Sequence, residues 1–312
     1  MSEVIIYDEI LIIGGGLIGS SIARAVREHG AARRVVMHDS DEGVCARLQA
    51  LDICDHVDRV CSASQADLVI LAVPPGVIAQ TAEKILPHMK PGAMLSDVGS
   101  VKANVVEAIT PLLPGGIDFI GGHPIAGTEQ SGPDAGFASL FADRWCILTP
   151  SSKTVEDSPA AQKLQNFWQT LGSRVEFMDA AHHDLVLATT SHLPHLIAYA
   201  LVGTATDMET VTKGEVVKYS AAGFRDFTRI AASDPVMWRD ICLQNKDAVI
   251  DVLGRYIEDL TALKKAVRWG DGETLLKEFT KTRAIRDKII DAGQDVAVPN
   301  FGRDAPEDGT GN

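Results

Sequence analysis

Residues 9–19 read Glu-Ile-Leu-Ile-Ile-Gly-Gly-Gly-Leu-Ile-Gly: an apolar run that stops at three glycines and resumes with helical periodicity. Gly14, Gly16 and Gly19 have the GxGxxG spacing, with Leu17 and Ile18 inside it. Between a strand and a helix each glycine has a physical task. Gly14 permits a tight turn, Gly16 lets backbone N–H groups approach a pyrophosphate, and Gly19 lets the helix pack closely on the strand. The helix N-terminus adds positive dipole toward the phosphates. The spacing alone is weak, since a glycine turn also serves other α/β folds. Its context is stronger: a second apolar run, 35–38, ends in His38-Asp39, where a carboxylate can accept from the adenosine ribose. A carboxylate at Asp39 favours a free 2′-hydroxyl and repels a 2′-phosphate. Ser40 and Asp41 supply no arginine, and Arg33 and Arg34 lie at the far end of the run. The expected cofactor is therefore NAD rather than NADP, with Gly14, Gly16, Leu17, Ile18, Gly19, Asp39, Val73 and Pro74 as its expected contacts.

Outward from this turn, short apolar runs at 10–13, 35–38, 68–73, 94–97, 119–121 and 146–148 alternate with helix-period stretches at 17–28, 42–51 and 77–86. Such alternation predicts a mostly parallel, doubly wound sheet of Rossmann type. A helix over about 158–171 leads through Gly172 to a last strand near 174–177. After Asp179 the strand signals cease. Residues 180–205, 235–269 and 272–292 are long and helix-like, interrupted by Pro194, by the 214–223 region and by Gly270-Asp271-Gly272. The expected organisation is a dinucleotide-binding domain over 1–178, an all-helical domain over 179–293, and a flexible tail over 294–312, rich in Gly, Pro, Asp and Asn.

Composition narrows the function classes. A chain of 312 residues suits two domains, and 46% hydrophobic residues is ordinary for a globular protein. The formal charge of −13 opposes nucleic acid and anionic membranes as partners. The N-terminus lacks a basic region followed by an apolar run, so no secretory signal is expected, and no apolar stretch is read as long enough to span a bilayer. Cys45, Cys54, Cys61, Cys146 and Cys242 form no CxxC pair or metal-ligand spacing. They read as reduced structural thiols of a cytoplasmic protein, with no metal site.

Three polar segments interrupt apolar surroundings. Asp97-Val98-Gly99-Ser100-Val101-Lys102 follows a strand, which puts Ser100 at the sheet rim where ligands bind. Residues 121–129 place His123 on what reads as a Gly-rich loop, with Pro124 fixing the backbone after it. A histidine there can serve as base for a hydroxyl proton, or as a turn residue bonded to backbone. In the helical half, Asp184, Ser191 and His195 recur at helical spacing on one face, as a buried polar network or as part of a site. Pro194 removes a backbone donor and frees a carbonyl near Thr190. Farther on, Arg229 can grip a carboxylate in bidentate fashion or pair with Asp226 or Asp234.

Together these segments carry a family resemblance. GGHPIAGTEQSG at 121–132, DVGSVK at 97–102, SHLPH at 191–195 and GFRDFTRIAASDPVMWRD at 223–240 closely resemble the prephenate/arogenate dehydrogenase family, nearest to bacterial cyclohexadienyl dehydrogenases. The match runs from about residue 9 to 290. The resemblance implies oxidative decarboxylation of prephenate or arogenate on the route to tyrosine, by a homodimer built through its helical domain. It also implies His123 as acceptor of the ring-hydroxyl proton and Ser100 as a support for His123 and that hydroxyl. Arg229 would hold a substrate carboxylate. His195 would contribute to substrate binding with Asp184 in a supporting network, Arg225 would lie near the substrate side chain, and Glu129 and Trp238 near the pocket. Two other readings compete: another NAD-dependent hydroxyacid dehydrogenase of related architecture, and a non-catalytic NAD-binding protein. The first typically relies on a helical-domain lysine that SHLPH does not supply.

Overall fold

The computed structural model describes residues 5–58, 63–128, 130–212 and 222–291. The chain divides into two compact units, Met1–Val252 and Leu253–Asn312.

The first unit is organised by an eight-stranded sheet in the order β3-β2-β1-β4-β5-β6-β7-β8. Its strands are β1 Tyr7–Ile13, β2 Ala32–His38, β3 His56–Val57, β4 Leu68–Leu71, β5 Met94–Asp97, β6 Asp118–Pro124, β7 Trp145–Pro150 and β8 Arg174–Phe177. All neighbours pair in parallel except β6 with β7. The two-residue β3 has no signal in the sequence pattern.

The central strands are apolar without alternation because both faces are covered. Ile10 and Ile12 of β1 join a cluster with Ile22, Val26, Phe167 and Trp168. These come from α1 (Leu17–His29) and, for the two aromatics, from the helix Pro159–Thr170. Leu11 and Ile13 point the other way, into a cluster with Ile78, Ala82, Val105 and Ile109. Those side chains belong to Ile78–Ile85 and to Ala103–Ile109, labelled α3 and α4, after α2 at Glu42–Leu51. Full burial of each Ile, Leu, Val or Phe side chain among these stabilises the fold by about 1.5–3 kcal/mol. Two further helices, α5 (Lys153–Glu156) and α6 (Pro159–Thr170), precede β8. The hydroxyl of Ser158 caps α6 by accepting from Ala161 N at 3.1 Å.

From Ala180 onward the described structure is helical: α7 Ala180–Leu187, a π turn Ala188–His192, α8 Leu193–Thr212, α9 Ala222–Thr228, α10 Pro235–Gln244, α11 Lys246–Trp269 and α12 Gly272–Asp291. The tail expected over 294–312 lies outside the described residues, as does Cys61. The other four cysteines are free thiols.

One expectation needs correction. The continuous helical run Ala180–Asp207 is long and apolar enough to cross a membrane by length and composition, an 18-residue window within it having a mean hydropathy of 1.4. Only 22% of that window is buried inside the chain. It nevertheless carries the buried polar side chains of His183, Asp184 and His192, each hydrogen-bonded to protein.

Candidate active site

The glycine turn sits where the strand order reverses between β1 and β4, the position at which doubly wound sheets bind ligands. Gly14 has φ +107°, and a Cβ there would lie 2.3 Å from the Ala72 carbonyl oxygen. A Cβ at Gly19 would lie 1.9 Å from the Gly14 carbonyl oxygen, so both positions require glycine. At Gly16 a Cβ would meet nothing within 4 Å, which leaves open space over the turn. Gly16 caps α1 without any side-chain hydrogen bond, so the first-turn N–H groups face that space uncapped. The Asp39 carboxylate accepts from Gly15 N at 2.7 Å and Asp41 N at 2.9 Å, which fixes it beside the turn. Leu17, Ile18 and Val73 are half-buried around the turn, and Pro74 is exposed. Arg33 and Arg34 pair with Asp8 and Glu9 at the opposite ends of β2 and β1, away from Asp39. The residues present fit a dinucleotide with a free ribose hydroxyl.

His123 is not on a loop. β6 continues through Pro124 because β7 pairs with it in antiparallel register, His123 opposite Ile147. The glycines before it permit this crowding: a Cβ at Gly121 would come within 2.5 Å of Thr149 Oγ1, and one at Gly122 within 2.7 Å of the Asp97 carbonyl. Close enough to act on His123 electrostatically is Lys102, in a fully buried ion pair with Asp97. Asp97 also accepts from Gly99 N at 2.8 Å and from Gly122 N at 3.3 Å, which ties the Ser100 loop to β6.

Two histidines meet next to this strand. Nδ1 of His123 is 2.8 Å from Nε2 of His183, and Nδ1 of His183 is 2.8 Å from Oδ1 of Asp184. The Asp184 carboxylate accepts from Lys102 N at 2.8 Å and Ala103 N at 2.9 Å. It thereby joins α7 to the start of α4. All three side chains are buried. The pKa of His123 is held well below the ordinary value, chiefly by burial and further by the nearby His183, Lys102 and His192.

The expected helical face of Asp184, Ser191 and His195 is re-phased by the π turn, which adds a residue to the helical repeat. His192 rather than Ser191 turns inward. Asn245 donates from Nδ2 to the Asp184 carbonyl at 2.8 Å and lies 3.1 Å from Nδ1 of His192. Nε2 of His192 and Nε1 of Trp238 are buried without a protein partner. Burial lowers the pKa of His192 to about 4. His195 bonds through Nδ1 to the Ser191 carbonyl at 2.9 Å and stacks on Trp238. The freed carbonyl expected near Thr190 is thus matched by a carbonyl at Ser191 that the His195 ring occupies. Trp238 itself is held by α10, whose N-terminus Asp234 caps by accepting from Met237 N at 2.7 Å.

Among the expected residues, then, His123, Asp184, His195 and Trp238 are placed in buried or half-buried surroundings around α7, α8 and α10. Ser100 is half-buried, and its hydroxyl makes no hydrogen bond among the described residues; the partner of His123 is His183, not Ser100. Arg225 lies on α9 and Arg229 starts the next turn; both are exposed. Glu129 lies outside the described residues. Sequence reasoning missed His183 and Asn245. The adjacent His182-His183-Asp184 was the available signal for the first; nothing local marked Asn245.

A glycine-turn sheet joined to helices that bring histidines against a strand-borne histidine is the arrangement of a dinucleotide-dependent dehydrogenase. The chain belongs to the prephenate dehydrogenase family: the family's nucleotide-binding domain matches residues 22–177 and its dimerization domain residues 179–281. A cyclohexadienyl dehydrogenase of Zymomonas mobilis is 42% identical over 90% of this chain and 96% of its own. A prephenate dehydrogenase of Bacillus subtilis is 36% identical over 94% of this chain and 79% of its own. The crystal structure of prephenate dehydrogenase from A. aeolicus, in complex with hydroxyphenyl propionate and NAD+, superposes with a TM-score of 0.83 at 33% identity. It covers 90% of this chain and 98% of that one.

Proposed function

We propose that this enzyme catalyses the NAD-dependent oxidative decarboxylation of prephenate and arogenate, with His123 as the proton acceptor. The observation that carries the reading is a buried histidine, its pKa held low chiefly by burial, near the carboxyl end of β6 in the same sheet whose β1 ends in the uncapped glycine turn. The glycine turn and Asp39 would hold NAD, which would supply the hydride acceptor for the carbon bearing the ring hydroxyl. His123 takes the hydroxyl proton at Nε2. Loss of the ring carboxylate as CO2 leaves its electron pair in the ring, which becomes aromatic. The proton on His123 then returns to the phenolate oxygen, so the base is regenerated. Aromatisation makes the step effectively irreversible.

In this reading Ser100 binds the ring hydroxyl with its free Oγ. Arg229 grips a carboxylate common to both substrates, while His195, supported by Trp238, contacts the substrate. Arg225 serves the substrate side chain. We place the domain boundary at 178/179. The end of β8 at Phe177 and the abutting family matches support it. We further propose a cytoplasmic homodimer that buries the apolar helical surface. In the second unit Ile257 is 54%, Leu276 70% and Phe279 57% exposed, and in the first Leu185 is 44% exposed. Exposed apolar helix faces of this kind call for burial against a second copy.

The test is steady-state turnover with prephenate and with arogenate at saturating NAD, read in the NADH band. Both are expected to react, with specificity constants within about 10²-fold, a gap of under about 3 kcal/mol in transition-state binding. Activity with neither overturns the assignment. His123→Asn is expected to lower kcat by at least about 10²-fold with NAD affinity unchanged. A monomeric mass by light scattering at micromolar concentration would contradict the dimer.

A further inference from the structure

We propose that His183 is a positioning residue for the proton transfer, fixing which nitrogen of His123 carries hydrogen. The proposal rests on the reading of His123 as the base.

The argument follows the hydrogens. A carboxylate has none to give, so in the 2.8 Å contact between Asp184 Oδ1 and His183 Nδ1 the imidazole is the donor. The two backbone donors on the same carboxylate, Lys102 N and Ala103 N, lock it in place. A neutral imidazole has one N–H, so Nε2 of His183 is an acceptor. It lies 2.8 Å from Nδ1 of His123, which must therefore carry its ring's hydrogen. The opposite tautomer would set two lone pairs against each other at that distance. Nε2 of His123 is then left with a lone pair, and only a ring in that form can take a proton there. When it does, the O–H bond of the substrate breaks and its electron pair stays on oxygen. The N–H bond forms at Nε2, and the resulting imidazolium still donates through Nδ1 to His183. The Asp184 carboxylate faces the positive charge at the end of the chain.

The surroundings hold the relay in one state. His183 is 0% exposed and Asp184 3%. The neighbouring groups are the Asp97–Lys102 pair from β5 and the start of α4, His192 from the π turn, and Asn245 from the α10–α11 junction. Burial first, and then His183, Lys102 and His192, also depress proton uptake by the resting His123.

The experiment pairs nitrogen-15 NMR of the histidine rings with kinetics on His183→Leu and His183→Gln. In the unmodified protein the two-bond correlations of His123 should show a protonated Nδ1 and an unprotonated Nε2. His183→Leu fills the space without an acceptor. It should lose that single tautomer and lower kcat by about 10²-fold, with KM and NAD affinity within about 3-fold. His183→Gln offers an amide oxygen at similar reach and should stay within about 10-fold of the unmodified kcat. A protonated Nε2 on His123 in the unmodified protein overturns the proposal. So does a Leu variant with normal kcat, or a Gln variant as impaired as Leu. Should the Leu variant fail to fold, the NMR assignment and the Gln variant still decide. Normal turnover of His123→Asn would sink the base itself, an outcome that leaves the tautomer measurement separate.

Discussion

The imidazole of His195 lies flat against the indole of Trp238, ring centroids 3.5 Å apart and planes 21° from parallel. The stack joins α8 to α10, and Tyr199 Oη reinforces the junction by donating to the Ser233 carbonyl at 2.9 Å. Because Nδ1 of His195 is engaged by the Ser191 carbonyl, Nε2 is the atom free to meet a ligand. A stacked aromatic pair contributes about 0.5–1.5 kcal/mol beyond burial. Trp238→Leu is therefore expected to raise the substrate KM by about 10-fold while NAD affinity holds, with Trp238→Phe intermediate. Equal KM values in all three proteins would remove Trp238 and His195 from substrate binding.

Asp39 stands beside the glycine turn, its carboxylate held by Gly15 N and Asp41 N. Asp39→Ala removes a carboxylate that also accepts from Gly15 N, so NAD should bind about 10- to 10²-fold more weakly and NADP should be discriminated less. Fluorescence titration with both dinucleotides measures this. Equal affinity for NADP and NAD in the unmodified enzyme would show that Asp39 does not face the 2′ position.

Arg229→Gln is expected to raise the substrate KM by about 10²-fold, the loss of a charge-assisted bidentate contact, with little change in NAD affinity. Arg229 has an intramolecular interaction of its own, so thermal denaturation should be measured alongside. A lowered Tm with unchanged KM would mean that the arginine serves the fold.

The buried histidines set the pH response. Burial lowers the pKa of His123 well below 6.5 and that of His192 to about 4, and it lowers that of His195 against the opposing effect of its bond to Ser191. The acid limb of kcat/KM governed by His123 should thus lie below pH 6.5. For stability the sign follows from linkage: the unfolded chain binds these protons more readily, so unfolding is favoured as pH falls. The contribution is fully present above about pH 6.5 and, for His192, is lost progressively between 6.5 and about 4. Tm measured across this window should decline, and His192→Asn should flatten the decline. A Tm independent of pH through this range would contradict the burial argument.

How much of this was legible in the sequence depended on how local the cause was. The glycine turn and Asp39 depend on φ, ψ and the nearest few residues, so their spacing announces them. The strands of the central sheet could be read because burial on both faces demands unbroken apolar runs. The order of motifs was enough to place the chain in its family.

Other features depended on partners distant in the chain. Whether residues 122–124 form loop or strand was decided by β7, since backbone N–H and C=O groups of a Gly-Gly-His segment take up whichever partners are offered. The inward turn of His192 required the π turn, whose extra residue no helical periodicity contains. The His123–His183–Asp184 chain links residues 60 apart, and Asp184 reaches a backbone donor 82 residues away. Sequence spacing fixes which side chains can share one helix face. Only packing decides which of them find a hydrogen-bond partner once water has been excluded.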